Sequence, residues 1–188
     1  MPRSTKRDPD AIKSFGNYHV SCHDKDGNLK WEEDAPNALF DEGEFGILDI
    51  ALRGGTAPAS WYIGLMKNTL SVLPAETSTL ASLNTAGPFE LSSAANNGYT
   101  ARQPVARDAT ASGWPTLSLN SGDYQATSAQ VSFTAGANWG DVIRWVFLTT
   151  VAAASETTGK LYSLAQLSAD RTLLSGDILR ITYSLKMQ

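Results

Sequence analysis

The stretch GANWGDVIRWVFLTT, residues 136–150, places the tightest limit on how this chain can fold. Successive residues of an extended chain point to opposite sides, and a strand with one face in water alternates apolar with polar residues. Here Ile143, Trp145 and Phe147 fall on one side, while Val142, Val146 and Leu148 fall on the other, broken only by Arg144. The strand is therefore expected to be central and covered on both faces. Ile143, Trp145 and Phe147 are expected in the core of a sandwich. The opposite face needs a lid from a helix, a long loop, the N-terminal hairpin or a second copy of the chain. Arg144, within that face, needs a carboxylate or carbonyl partner on the lid.

The remaining pattern is mostly of period two. Tyr18, Val20 and Cys22 alternate with His19, Ser21 and His23, and Leu29 and Trp31 alternate with Lys30 and Glu32. Asp26-Gly27 between these runs signals a hairpin, with strands near 17–23 and 28–33. Over residues 41–53 the period becomes helical through Leu48, Ala51 and Leu52. Asp41 with Glu44 three residues on fits an N-terminal cap, and Gly54-Gly55 fits a stop. Gly43 and Gly46 weaken this helix by about 1 kcal/mol each relative to Ala. WYIGLMKN follows as a strand. Residues 68–115 are rich in small and polar residues and broken by Pro74, Pro88, Pro104 and Pro115, which predicts surface loops. From Trp114 onward the pattern is all β, with Leu117 and Leu119, Val131 and Phe133, and then Leu179, Ile181, Tyr183 and Leu185 alternating with polar residues; KLYSLAQL reads as a short strand and turn. The expected class is mainly β: an antiparallel sandwich or jelly roll with an N-terminal hairpin arm and one short helix. Residues 1–16, polar and of mixed charge, form a flexible arm. Residues 17–188 form one domain, divided into a hairpin and helix (17–67), a loop-rich insert (68–98) and a C-terminal β module (99–188).

Composition and spacing narrow the chemistry. The 188-residue chain has a net charge of −4 at pH 7, which disfavours general nucleic-acid binding. No apolar run approaches the ~18 residues that span a membrane. The basic N-terminus lacks the apolar region of a secretory signal. One cysteine, Cys22, excludes an intramolecular disulfide and fits a reducing compartment. Cys22, Asp24, Asp26, Gly27 and Glu33 come near a calcium loop, but sulfur stands where calcium requires oxygen, and the flanks have strand periodicity. His19 and His23, about 13 Å apart on a strand, are badly spaced for zinc. Cys22 and His23 point to opposite faces, so Cys22 reads as a buried thiol. No triad, carboxylate pair or phosphate loop stands out, and no catalytic residue, metal or cofactor is assigned. Trp61 and Trp145 read as core; Trp114 and Trp139 border turns and are candidates for exposure, where they could meet a glycan or a protein.

NYHVSCHDKDGNLKWEEDAPNALFDEGEFGILDIALRGG with ASWYIGLMKN, and later YTARQPV, VSFTAGANWGDVIRWVFLTT and GKLYSLAQLSADRTLLSGDILRITYSL, resemble structural proteins of tailed-bacteriophage virions. Tyr99 and Arg102 match a Tyr-x-x-Arg start, Trp139-Gly140 precedes the central strand, and Ser175-Gly176-Asp177 precedes the last. The resemblance covers roughly 17–67 and 99–185. It implies a non-enzymatic virion protein assembled in the host bacterial cytoplasm, first of all a capsid decoration or cement protein on the outer head lattice. The alternatives are a tail- or fibre-associated protein that meets the host surface and a small carbohydrate-binding or carbohydrate-active protein. The expected partners are the major capsid protein and further copies of the chain, a trimer being the first expectation. The contact residues nominated are Lys6, Arg7 and Lys13 of the arm, Trp114 and Trp139 at the turns, and Val142, Arg144 and Val146 on the face needing a lid.

Overall fold

Residues 14–69 and 74–187 are described by the structure, a computed structural model. Two antiparallel sheets pack face to face. The larger contains β1 (Ser14–His23), β2 (Leu29–Ala38), β5 (Thr116–Asn120), β6 (Asp123–Thr127), β7 (Val131–Thr134) and β10 (Ile178–Met187), in the order β2-β1-β10-β6-β5, with β7 also pairing β10. The smaller contains β3 (Ser60–Lys67), β4 (Gln103–Ala106), β8 (Ile143–Thr149) and β9 (Leu161–Arg171), in the order β4-β3-β8-β9. Two helices accompany them among the described residues, α1 (Asp41–Leu52) and the short α2 (Leu80–Leu83). The fold is a mainly β antiparallel sandwich, as the periodicity requires.

The space between the sheets is filled by alternate residues of the facing strands. Tyr18, Val20 and Cys22 of β1 and Leu179, Ile181 and Tyr183 of β10 meet Ile63 and Leu65 of β3 and Ile143, Val146 and Leu148 of β8. Burial of each large aliphatic side chain stabilises the fold by about 1.5–3 kcal/mol.

The two faces of β8 are exchanged relative to the sequence reading. Val146 and Leu148 lie between the sheets, whereas Trp145 and Phe147 point outward into a second core. The cause is a register irregularity between Ile143 and Trp145, which leaves Arg144 as an extra residue opposite β3. One extra residue turns the alternation over, so Ile143 joins Val146 rather than Trp145. The second core comes from the stretch expected to be surface loops. Leu80 and Leu83 of α2 and Phe89 beyond it cover Trp145 and Phe147, together with Phe40, Met66, Leu161 and Leu164. Thr79 and Ser82 close α2 with a reciprocal capping box. The lid of the central strand is thus internal, and β8 needs no second copy of the chain to cover it.

Other boundaries shift. β1 begins at Ser14 and pairs with β2 and β10, so residues 14–16 are strand rather than arm. β2 runs on to Ala38, and KLYSLAQL is part of an eleven-residue strand. Strands β4 and β6 went unread in the sequence. The helix matches its expected span, but its N-cap is Phe40, which makes no side-chain cap; Asp41 is its first residue. Asp41, Glu42 and Glu44 in the first turn favour the positive end of the helix dipole. Gly43 and Gly46, costly for helix propensity, are buried where a Cβ would run into Tyr162 of β9. They let the helix backbone lie directly on that strand.

Candidate functional site

The β5–β6 hairpin and α1 face each other across Trp61, Leu148 and Tyr162, which lie near the ends of β3, β8 and β9. Between them lies an open groove of about 530 Å3. Its floor is aromatic. Trp61 of β3 meets Trp114 edge-on at 5.8 Å and Tyr162 of β9 at 6.2 Å, and Trp114 meets Tyr183 of β10 at 6.1 Å. Ile47, Ile50 and Ala51 form the helix wall; Leu117 and Ala126 of the hairpin, with Leu185 of β10, form the wall opposite. The same two elements carry further apolar side chains open to solvent: Phe45, Leu48 and Leu52 on the helix, and Leu117, Leu119 and Tyr124 on the hairpin. Burial raises the Tyr162 and Tyr183 hydroxyls above the ordinary tyrosine value, so both stay neutral. An open groove with an apolar, aromatic lining offers a docking surface for an apolar ligand or for the apolar surface of another molecule.

The strongest polar cluster is sealed beneath the lid. Glu90 and Arg102 are both buried. Arg102 donates from Nε to Glu90 Oε1 at 2.9 Å and from Nη2 to Oε2 at 2.8 Å. The Tyr99 hydroxyl donates to Oε1 at 2.5 Å, and the Ser155 amide donates to Oε2 at 2.6 Å. Arg102 also holds the Val151 and Glu156 carbonyls and stacks over Phe147, 5.1 Å from the ring centre. The Tyr-x-x-Arg pair of the sequence is therefore a clamp fastening the 90–102 and 151–156 loops to the smaller sheet. Glu90 was not readable as its partner, because nothing in its local pattern marks it as buried.

A second polar joint ties the sheets together at the β2–β9 side. Glu33 accepts from the Arg171 guanidinium at 2.7 Å and from the Ser168 amide at 3.0 Å, and it contacts the Ser168 hydroxyl. Burial works to raise the Glu33 carboxyl, but the bonds from Ser168 and Arg171 outweigh it and hold the group below the usual range. Arg171 stacks on Trp31 at 4.3 Å. Nearby, Lys30 reaches Asp177 at 2.5 Å.

The nominated residues do not come together. Lys6, Arg7 and Lys13 lie outside the described residues. Trp114 is half-buried in the groove floor. Trp139, expected at the surface, is buried against Tyr99, with its indole N–H on the Asn97 carbonyl at 2.9 Å. Val142 is half-buried beside the Asn68 amide, and Val146 is wholly buried between the sheets, which leaves it no surface for a partner. Arg144 finds its carboxylate in Asp170 of β9, at 3.7 Å. Turned to suit both groups, the Gln166 amide oxygen also accepts from Arg144, at 3.0 and 3.2 Å. Asp24 closes the hairpin loop, accepting from the amides of Asp26 and Asn28, which is turn geometry. His19 sits at the surface beside Asp34. Cys22 is buried, and burial foremost, with Asp177 nearby, pushes its thiol up to about 11. A thiol so shifted is a packing group and a poor nucleophile. No helix among the described residues is long and apolar enough to cross a membrane.

Residues 41–185 match a family model described as podophage GP4 fiber I protein gp80. The match spans the helix, the lid segment, the clamp, the hairpin and eight of the ten described strands, β3 to β10, the last lacking only its final two residues, and leaves β1 and β2 outside it. No curated protein and no solved structure matches the chain.

Proposed function

We propose, since this chain belongs to the podophage GP4 fiber I protein gp80 family and so to the structural proteins of tailed-phage virions, that it serves as a fibre component and acts by adhesion. The observation that carries the reading is the contrast between its polar and apolar surfaces. The strongest polar clusters, Glu90 with Arg102 and Glu33 with Arg171, are consumed in holding loops and sheets together. The groove beside α1, which remains open, is lined by apolar and aromatic side chains suited to docking. This is the chemistry of a binding module rather than of a catalyst.

Of the two virion positions compatible with the resemblance, the family's description speaks of a fibre, and the fibre reading is the one adopted. The head-lattice reading, with the major capsid protein as partner, is the alternative, and the apolar groove would serve docking there equally well. Lys6, Arg7 and Lys13 retain a proposed part in pairing with acidic groups of a virion partner, a contact that salt would weaken.

The test is complementation of a phage lacking this gene with an Ile50→Lys chain. Ile50 lines the groove from the helix side and is half-exposed, so the folded state tolerates the change. Particles should then lack the protein or carry far less of it, while the isolated variant melts close to wild type. Normal incorporation of the folded variant would remove the groove from the account.

A further inference from the structure

The β5–β6 hairpin has more open surface than the groove uses. Leu117, Leu119 and Tyr124 are 73%, 64% and 65% exposed. At about 200 Å2 for each large side chain, they leave about 400 Å2 of apolar surface in water. The outer edge of β5 pairs with nothing among the described residues. Exposed strand edges usually carry a charge, a proline or a bulge that discourages pairing. β2, at the other end of the sheet, carries Glu32, Asp34 and Pro36, and β4 carries Pro104. β5, TLSLN, carries none of these.

Register determines which groups the edge offers. Asn120 and Asp123 close the hairpin across Ser121 and Gly122, both with positive φ, at 56° and 94°. The closing pair of such a two-residue turn exchanges both main-chain bonds, and the pairs then alternate. Thr116, Ser118 and Asn120 therefore bond to β6. The N–H and C=O groups of Leu117 and Leu119 point to the open side. Reversed end to end, TLSLN keeps its alternation: Leu117 falls opposite Leu119, Thr116 opposite Asn120, and Ser118 opposite itself.

From this self-complementarity we infer that two copies of the chain associate by antiparallel pairing of their β5 edges about a twofold axis through Ser118. Leu117 of one copy and Leu119 of the other form a fully bonded pair, as do their symmetry mates, giving four main-chain hydrogen bonds. The larger sheets become one continuous sheet. On one face an apolar row runs from Met187 through Tyr124 and Leu119 of one copy to Leu117, Ala126 and Leu185 of the other, following the registers of β5, β6 and β10. β5 carries no charge that would repel its mate. The contact is self-complementary, as a twofold interface must be. Its area lies at the small end for specific interfaces, so the pair is weak and reversible, and repetition in a larger assembly would strengthen it. The inference holds wherever on the virion the protein resides, because the isolated chain tests it.

The experiment combines sedimentation with a cross-link. At about 100 μM, where a weak pair is populated, the wild type should sediment as a dimer that dissociates on dilution. Leu119→Pro removes an N–H that the hairpin does not use, so the fold should survive and the dimer should be lost. Ser118→Cys places two thiols on the axis in a non-bonded antiparallel pair, with Cα atoms about 4.5 Å apart. Mild oxidation should convert most of it to a covalent dimer, while buried Cys22 leaves the wild type uncross-linked. A monomeric wild type at that concentration, a dimer that survives Leu119→Pro, or a Ser118→Cys chain that fails to cross-link would each overturn the inference.

Discussion

Arg102 Nη2 lies 2.8 Å from Glu90 Oε2, and neither side chain reaches solvent. Both charges are out of water, so each depends on the other. Breaking a buried pair by removing one partner costs about 3–5 kcal/mol, because an uncompensated charge remains. Glu90→Met and Arg102→Met should each lose stability on that scale in chemical denaturation. The double variant should be less destabilised than the sum of the two. Additive losses would mean that the two residues do not act as a pair.

The lid over Trp145 and Phe147 makes a separate demand. Leu80 is fully buried against them from α2. Leu80→Ala should cost about 2–5 kcal/mol by loss of burial and creation of a cavity. Val146→Asp, which buries an unpaired carboxylate between the sheets, should leave the chain unfolded by circular dichroism rather than yield a folded monomer. A folded Val146→Asp monomer would mean that this face is not the internal core.

Gly43 offers a prediction in which two effects oppose each other. Alanine would improve helix propensity by about 1 kcal/mol. Its Cβ would also press into the backbone of Tyr162, which cannot swing aside. The steric term should win, so Gly43→Ala should lower the melting temperature. A rise would show that α1 can lift off β9 at little cost.

The Glu33 carboxyl is held below its ordinary value of 4.5 by Ser168 and Arg171, against the effect of burial. A group depressed in the folded state adds stability above its unfolded pKa, and that stability is lost as pH falls through the lower folded value. The wild type should therefore lose stability on acidification below about pH 4.5, and Glu33→Gln should lose less over the same interval. Melting curves between pH 7 and pH 3 test this. Parallel acid losses in the two proteins would remove Glu33 as a contributor.

Much of the architecture was legible because period and turn chemistry agree locally. Asp26-Gly27 marks its hairpin, Gly54 marks the end of α1, and Leu179, Ile181 and Tyr183 mark the core face of β10. The β8 faces were read the wrong way round because a bulge at Arg144 depends on pairing with β3 and β9, which alternation within one strand cannot reveal. The lid was missed because Leu80, Leu83 and Phe89 are scattered among small polar residues that give no period. Leu117 and Leu119 have the alternation of a core strand, yet they lie open, because burial depends on how far the opposing sheet extends. Tyr99 and Arg102 were visible as a motif, but its meaning required Glu90, brought in by the loop before it.

The fibre assignment is tested most directly by quantitative mass spectrometry of purified virions, counting this chain against the major capsid protein. The account predicts a tail-scale copy number, from a few to a few dozen per particle. Hundreds of copies in proportion to the capsid subunits, or none in the purified particle, would contradict it.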